Sequence, residues 1–159
     1  MSSNKSEIRV EEVDDVLVGT IYTPTISKYV GVNSLNEIEG RIFASLLEQT
    51  LFAYEFGSTI VVLQQPGWYE LVNNFRNNRI VYDCMDDTSA FEDISPDILE
   101  LEIRSKEIAD TIIVSSLELC KKYQTESIRP FIVRNGCDPK HFRKETNLVI
   151  ENKIGRAHV

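Results

Sequence analysis

The stretch TIVVLQQPGWYELVNNFRNNRIVYDCMDD, Thr59 to Asp87, holds two runs rich in β-branched and aromatic residues, Thr59–Leu63 and Ile80–Cys84, around a segment of helical character from Gly67 to Arg76. A surface strand alternates polar and apolar residues, whereas Ile60-Val61-Val62-Leu63 and Ile80-Val81-Tyr82 are continuous, which suits strands covered on both faces. The second run ends on two adjacent acids, Asp86 and Asp87. In open sheets of parallel strands the functional crevice lies outside the carboxyl ends, so polar residues just past such a strand are the first place to look for chemistry.

The same alternation continues downstream. Ser95 with Pro96 at the first helical position predicts a helix over Pro96–Ala109, followed by a strand at Thr111–Val114. Ser115 and Glu118 have the spacing of a capping box for a helix running to about Tyr123, and Phe131-Ile132-Val133 reads as a last strand. Upstream, Ser34 and Glu37 predict another capping box, and Ile38, Ile42, Leu46, Leu47, Leu51 and Tyr54 recur at three- and four-residue steps until Gly57. Ile8–Val10 and Val16–Tyr22 read as one or two strands, broken by the acidic turn Glu11–Asp15 and closed by Pro24. Strands separated by helices imply parallel pairing with right-handed crossovers. The expected fold is α/β, a Rossmann-like, doubly wound and mainly parallel sheet.

With 159 residues and 42% hydrophobic content, the chain has the composition of one globular domain. A formal net charge of −8 and the lack of any basic run argue against binding a phosphate backbone, so no nucleic-acid partner is expected. The longest apolar stretch, Ile60–Leu63, is far short of the roughly 20 residues that span a bilayer, and the first residues lead into no signal-peptide core. No transmembrane segment and a cytoplasmic location are expected. Cys84, Cys120 and Cys137 are odd in number and widely spaced, which suits reduced packing residues better than disulfides. Neither they nor His141 and His158 have zinc-ligand spacing, so no metal is expected.

Four segments taken in order, VLQQPGW, RIVYDCMDD, LEIRSKEIADTIIVSS and FIVRNGCDPKHF, resemble the second half of the amino-terminal domain of a GT-B-type glycosyltransferase of the group-one or family-four-like kind. The resemblance rests on a strand ending in acids (Asp86, Asp87) and a helix with Glu102 before Ala109-Asp110. It rests equally on a strand ending in Ser115-Ser116, and on Asn135-Gly136 with Asp138 and Phe142. It covers residues 59 to 142. Many relatives have a His-Asp pair where Asp86-Asp87 stand, so a histidine's role does not carry over, and valine is common where Cys137 stands.

The resemblance implies a two-domain enzyme whose nucleotide-sugar donor is a co-substrate held mainly by a carboxyl-terminal domain, with the acceptor on the side represented here. It implies no cofactor. Residues 1–147 are then a partial amino-terminal, acceptor-side domain and residues 148–153 the start of an interdomain linker, in a chain truncated at both ends. The segment Ile154–Val159 can be encoded by a common sequencing adapter read in frame, with Lys153 a permitted neighbour, so residues 154–159 are expected to be a non-native read-through tail that packs on nothing.

For each candidate residue two readings stand side by side. Asp86 and Asp87 can accept hydrogen bonds from acceptor hydroxyls or serve as a base, or else form a solvated turn or N-cap. Ser115 and Ser116 lie where free backbone N–H groups can hold an anion, although a cap accounts for Ser115 without a ligand. Asn135 and Gly136 either line the cleft or form a tight turn with positive φ. Glu102 suits a solvated face or a buried ion pair better than a substrate contact, and Trp68 and Tyr69 suit core packing better than sugar stacking. The expected function is part of a glycosyltransferase moving a sugar to a glycan or glycoconjugate acceptor in polysaccharide or glycoconjugate assembly, the part alone being inactive. The alternative is a non-catalytic flavodoxin- or receiver-like signalling module with the acid pair as its ion or phosphoryl site.

Overall fold

The computed structural model describes residues 6–23, 34–76 and 78–136. Pro24, Cys137, Asp138, Phe142, both histidines, the linker at 148–153 and the segment 154–159 lie outside the described residues.

The chain opens with an antiparallel hairpin, β1 (Glu7–Val13) and β2 (Val16–Tyr22), registered from Glu7 opposite Tyr22 to Val13 opposite Val16. Its turn is only Asp14 and Asp15, with φ of 51° and 64°. Two left-handed residues make the hairpin turn whose twist matches that of the strands, and aspartate tolerates that conformation. Glu11–Val13, expected in the turn, are strand residues.

Helix α1 (Glu37–Ala53) is capped by Asn36: its Oδ1 accepts from the Glu39 amide, while Glu39 Oε2 accepts from the Asn36 amide, both at 2.9 Å. The expected cap, Ser34 with Glu37, has the same spacing. It loses because Leu35 is committed elsewhere, its side chain buried and its amide donating to the Gly67 carbonyl at 3.0 Å. The buried face also differs from the expected stripe. Gly40, Phe43 and Ala44 are buried, while Ile38 and Ile42 are exposed. Gly40 sets this rotation, since a Cβ there would come 2.5 Å from the Glu70 carbonyl carbon. Helix α1 ends at Ala53, before Gly57, with Glu55 in the left-handed region at φ 58°.

The main sheet is formed by β3 (Thr59–Leu63), β4 (Asn78–Cys84), β5 (Thr111–Val114) and β6 (Phe131–Ile132), all parallel and adjacent in chain order. Between them come a 3-10 turn at Pro66–Trp68 leading into α2 (Tyr69–Asn74), then α3 (Pro96–Ile108), then α4 (Leu117–Tyr123). The α/β alternation of the sequence is therefore present, in a parallel sheet flanked by helices and compatible with a Rossmann-like fold. Right-handed crossovers between strands in sequential order all fall on one face. Leu63, Ile80, Tyr82, Cys84, Ile112 and Val114 accordingly pack with Leu71 and Val72 of α2 and Leu119 and Tyr123 of α4. A reversal of strand order, which makes a sheet doubly wound, is absent among the described residues. Coverage of both faces, expected from the apolar runs, is not met at β3, where Ile60 and Val62 stand out on the opposite face.

Asp110 closes the amino-terminal end of this sheet. Its carboxylate accepts from the Ile80 amide at 2.8 Å and from Arg79 at 2.7 Å, and its own amide donates to the Ile80 carbonyl. These bonds, the Ile80 amide foremost, hold its pKa below the usual aspartate value.

Candidate functional site

Because the four strands are parallel, the residues following each of them gather at one edge of the sheet. Gln64-Gln65 follow β3, Met85-Asp86-Asp87 follow β4, Ser115-Ser116 follow β5 and Val133–Gly136 follow β6. A cavity of about 130 Å³ opens there, with Gln64, Gln65, Asp86 and Thr88 among its polar lining and Phe91 and Ile98 among its apolar one.

The two acids have different surroundings. Asp87 caps the short 3-10 turn Thr88–Ala90, accepting from the Ser89 amide at 3.1 Å and the Ser89 hydroxyl at 2.6 Å, and is ion-paired with Lys122 of α4. Those donors, Lys122 first, lower its pKa. Asp86 is exposed and its carboxylate has no hydrogen-bond or ion-pair partner among the described residues. The N-cap reading thus describes Asp87, and Asp86 alone presents a free carboxylate to the cavity.

The cap role expected of Ser115 falls to its neighbour. Ser116, not Ser115, caps α4, its hydroxyl accepting from the Leu119 amide at 3.2 Å. The Ser115 hydroxyl instead donates to the Met85 carbonyl and joins the ends of β4 and β5. Two serines in a row both suit a cap, and the reach to Met85, far away in sequence, decides between them. Asn135 and Gly136 lie exposed past β6, and neither has the positive φ expected of a tight Asn-Gly turn. They share the edge with Asp86 and Ser115, and among the described residues no hydrogen bond or ion pair joins them to either.

Behind the cavity sits a group the motif reading only touched. Glu102 of α3 is 4% exposed, and its Oε1 accepts from Tyr123 at 3.1 Å, Thr88 at 3.1 Å, Tyr82 at 3.3 Å and, weakly, the Cys84 thiol at 3.9 Å. Lys106, one turn along, lies 3.8 Å from Oε2. Of a solvated face and a buried ion pair, the two readings that Glu102 suited, the structure has the second, with Lys106 only partly buried. Burial pushes the Tyr82 and Tyr123 phenols and the Cys84 thiol up, so all stay protonated and able to donate. Burial also draws Lys106 down, against the attraction of Glu102. Thr88 connects this network to the cavity wall.

Trp68 and Tyr69 take the core role: Trp68 packs on Phe43 at 6.4 Å between ring centroids, and Tyr69 is buried with Arg104 over its ring at 4.2 Å. Cys84 and Cys120 are free thiols. Among the described residues no group of three or more His, Cys, Asp or Glu side chains is placed to hold a metal ion, and no helix is long and apolar enough to cross a membrane.

Sequence reasoning missed Gln64, Gln65 and Thr88 as cavity residues and Lys122 as the partner of Asp87. The glutamines could have been found by the rule that found Asp86, since they directly follow β3. Lys122 carried no signal, because nothing in its neighbourhood points to an acid on another strand's loop. No family model matches the chain, and no match to it was found among curated proteins or solved structures.

Proposed function

We propose that this chain forms the acceptor-binding side of a GT-B-type glycosyltransferase, which moves a sugar from a nucleotide-sugar donor to a glycan or glycoconjugate. The observation that carries this reading is the Asp86 carboxylate, without a partner among the described residues, at the carboxyl edge of an all-parallel sheet, beside the side-chain amides of Gln64 and Gln65 and the hydroxyl of Thr88. A carboxylate accepts hydrogen bonds from sugar hydroxyls, and an amide both donates and accepts, so this set can orient a polyol. In this reading Asp86 holds the attacking acceptor hydroxyl and can take its proton. Asp87 acts indirectly, holding the loop against α4 through Lys122. Ser115, Ser116, Asn135 and Gly136 shape the same edge, and the donor is held by a further domain of the complete enzyme.

Titrating the isotope-labelled chain with mono- and oligosaccharides tests this. Amide shifts are expected at Gln64, Asp86 and Thr88, weakened by Asp86→Asn with the fold intact, and no turnover of uridine or guanosine diphosphate sugars is expected from these residues alone. Saccharides that leave the crevice unperturbed would count against the reading. Phosphorylation of Asp86 or Asp87 by acetyl phosphate would favour the signalling-module alternative.

A further inference from the structure

We infer that the crevice at the carboxyl edge of the sheet selects a single neutral sugar or amino-sugar residue, its ring laid against Phe91, and rejects acidic sugars; the inference rests on reading this crevice as the acceptor side. The cavity of about 130 Å³ is well below the roughly 300–1,000 Å³ of pockets that enclose drug-sized ligands, which suits one sugar ring rather than a stretch of glycan. Phe91 lines it and is 55% exposed, and its amide donates to the Thr88 carbonyl at 3.4 Å, so ring and Thr88 hydroxyl belong to the same short turn. An exposed aromatic face beside polar groups fits a ligand that is apolar on one side and polar at its rim, as a pyranose is with its C–H face and its hydroxyls.

The direction of the surrounding hydrogen bonds narrows the ligand further. Thr88 and Tyr82 both line the crevice, and each gives its hydroxyl proton to Glu102 Oε1, at 3.1 and 3.3 Å. A hydroxyl has one proton and two lone pairs, so Thr88 meets a ligand as an acceptor. Asp86 also only accepts, and Gln64 spends one N–H on Asp83 at 2.9 Å. A sugar hydroxyl or an ammonium group can donate to this set, whereas a carboxylate or phosphate offers it no proton. Charge selects in the same sense. Asp86 is in the lining, and among the described residues no Lys, Arg or His side chain joins it there. Lys122 is engaged by Asp87 and the Ser89 hydroxyl. An anion in so small a space would face the Asp86 carboxylate with no cation between them.

Titration of the isotope-labelled chain with methyl glucoside, methyl glucosaminide and methyl glucuronide, which share a ring and differ in charge, tests this. The first two should shift the Thr88 and Phe91 amides, and the glucuronide should bind about tenfold more weakly than the glucoside. Asp86→Asn should narrow that gap to within about threefold, because it removes the charge and keeps the shape. Phe91→Ala should weaken glucoside binding about fivefold and Phe91→Trp should preserve it, since tryptophan offers the same flat face. Phe91 is exposed, so circular dichroism should show an unaltered fold. A glucuronide bound as tightly as the glucoside, a gap indifferent to Asp86→Asn, or binding indifferent to Phe91→Ala would each overturn the inference and leave the acceptor reading standing. Failure of all three glycosides to perturb the crevice would overturn both.

Discussion

Lys122 of α4 reaches back to Asp87 at the end of β4 and ties the loop that follows this strand to the helix that follows the next. The bond separates two neighbouring acids: Asp87 is held in place, and the Asp86 carboxylate has no partner among the described residues.

This tie sets a pH dependence. The pKa of Asp87 is lowered in the folded chain, so its interactions stabilise the fold above the unfolded aspartate value of about 3.9 and are lost as pH falls through the folded value. Lys122→Met should raise the Asp87 midpoint in a carbon-detected NMR titration. The stability difference between this variant and the parent should be present near neutral pH and shrink as pH falls through the folded Asp87 value, leaving only what the Lys122–Ser89 hydrogen bond contributes. A midpoint unmoved by the substitution would show that Ser89 alone holds the carboxylate.

Glu102 should be costly to remove. Glu102→Leu leaves the hydroxyls of Tyr82, Tyr123 and Thr88 and the partly buried Lys106 without their shared acceptor, an expected loss of about 3 kcal/mol in urea unfolding. Tyr123→Phe removes one donor of several and should cost about 1.5 kcal/mol. Equal losses for the two variants would mean that the network is not centred on the carboxylate.

Gly40→Ala should destabilise the chain by about 1–3 kcal/mol, although alanine is the better helix former by roughly 1 kcal/mol. The added methyl would overlap the backbone of Glu70, where α1 and α2 come closest. A rise in melting temperature would contradict that close approach.

The cap of α1 offers a paired comparison. Asn36→Ala should cost about 1 kcal/mol, because it leaves the Glu39 amide without its acceptor. Ser34→Ala should stay within about 0.5 kcal/mol, since the Ser34 side chain makes no hydrogen bond among the described residues and α1 is capped by Asn36. Thermal unfolding of both variants distinguishes the cap observed from the cap that spacing alone suggests.

Local chemistry determined which segments became which elements. The apolar runs at Thr59–Leu63, Ile80–Cys84 and Thr111–Val114 are strands, and Ser95-Pro96 starts a helix, because propensity and capping act over a few residues and are legible in any short window. The same rule placed Asp86 and Ser115 at one end of the sheet, since parallel strands share a direction. Tertiary contacts decided what neighbouring, chemically similar residues do. Asn36 rather than Ser34 caps α1 because Leu35 is claimed by the core, and Ser116 rather than Ser115 caps α4 because Ser115 reaches Met85. Asp87 rather than Asp86 is held because only Asp87 meets Lys122. Coverage of β3 also escaped the sequence: a continuous apolar run records that a strand suits burial on both faces, whereas the order of the strands fixes which face the crossover helices cover.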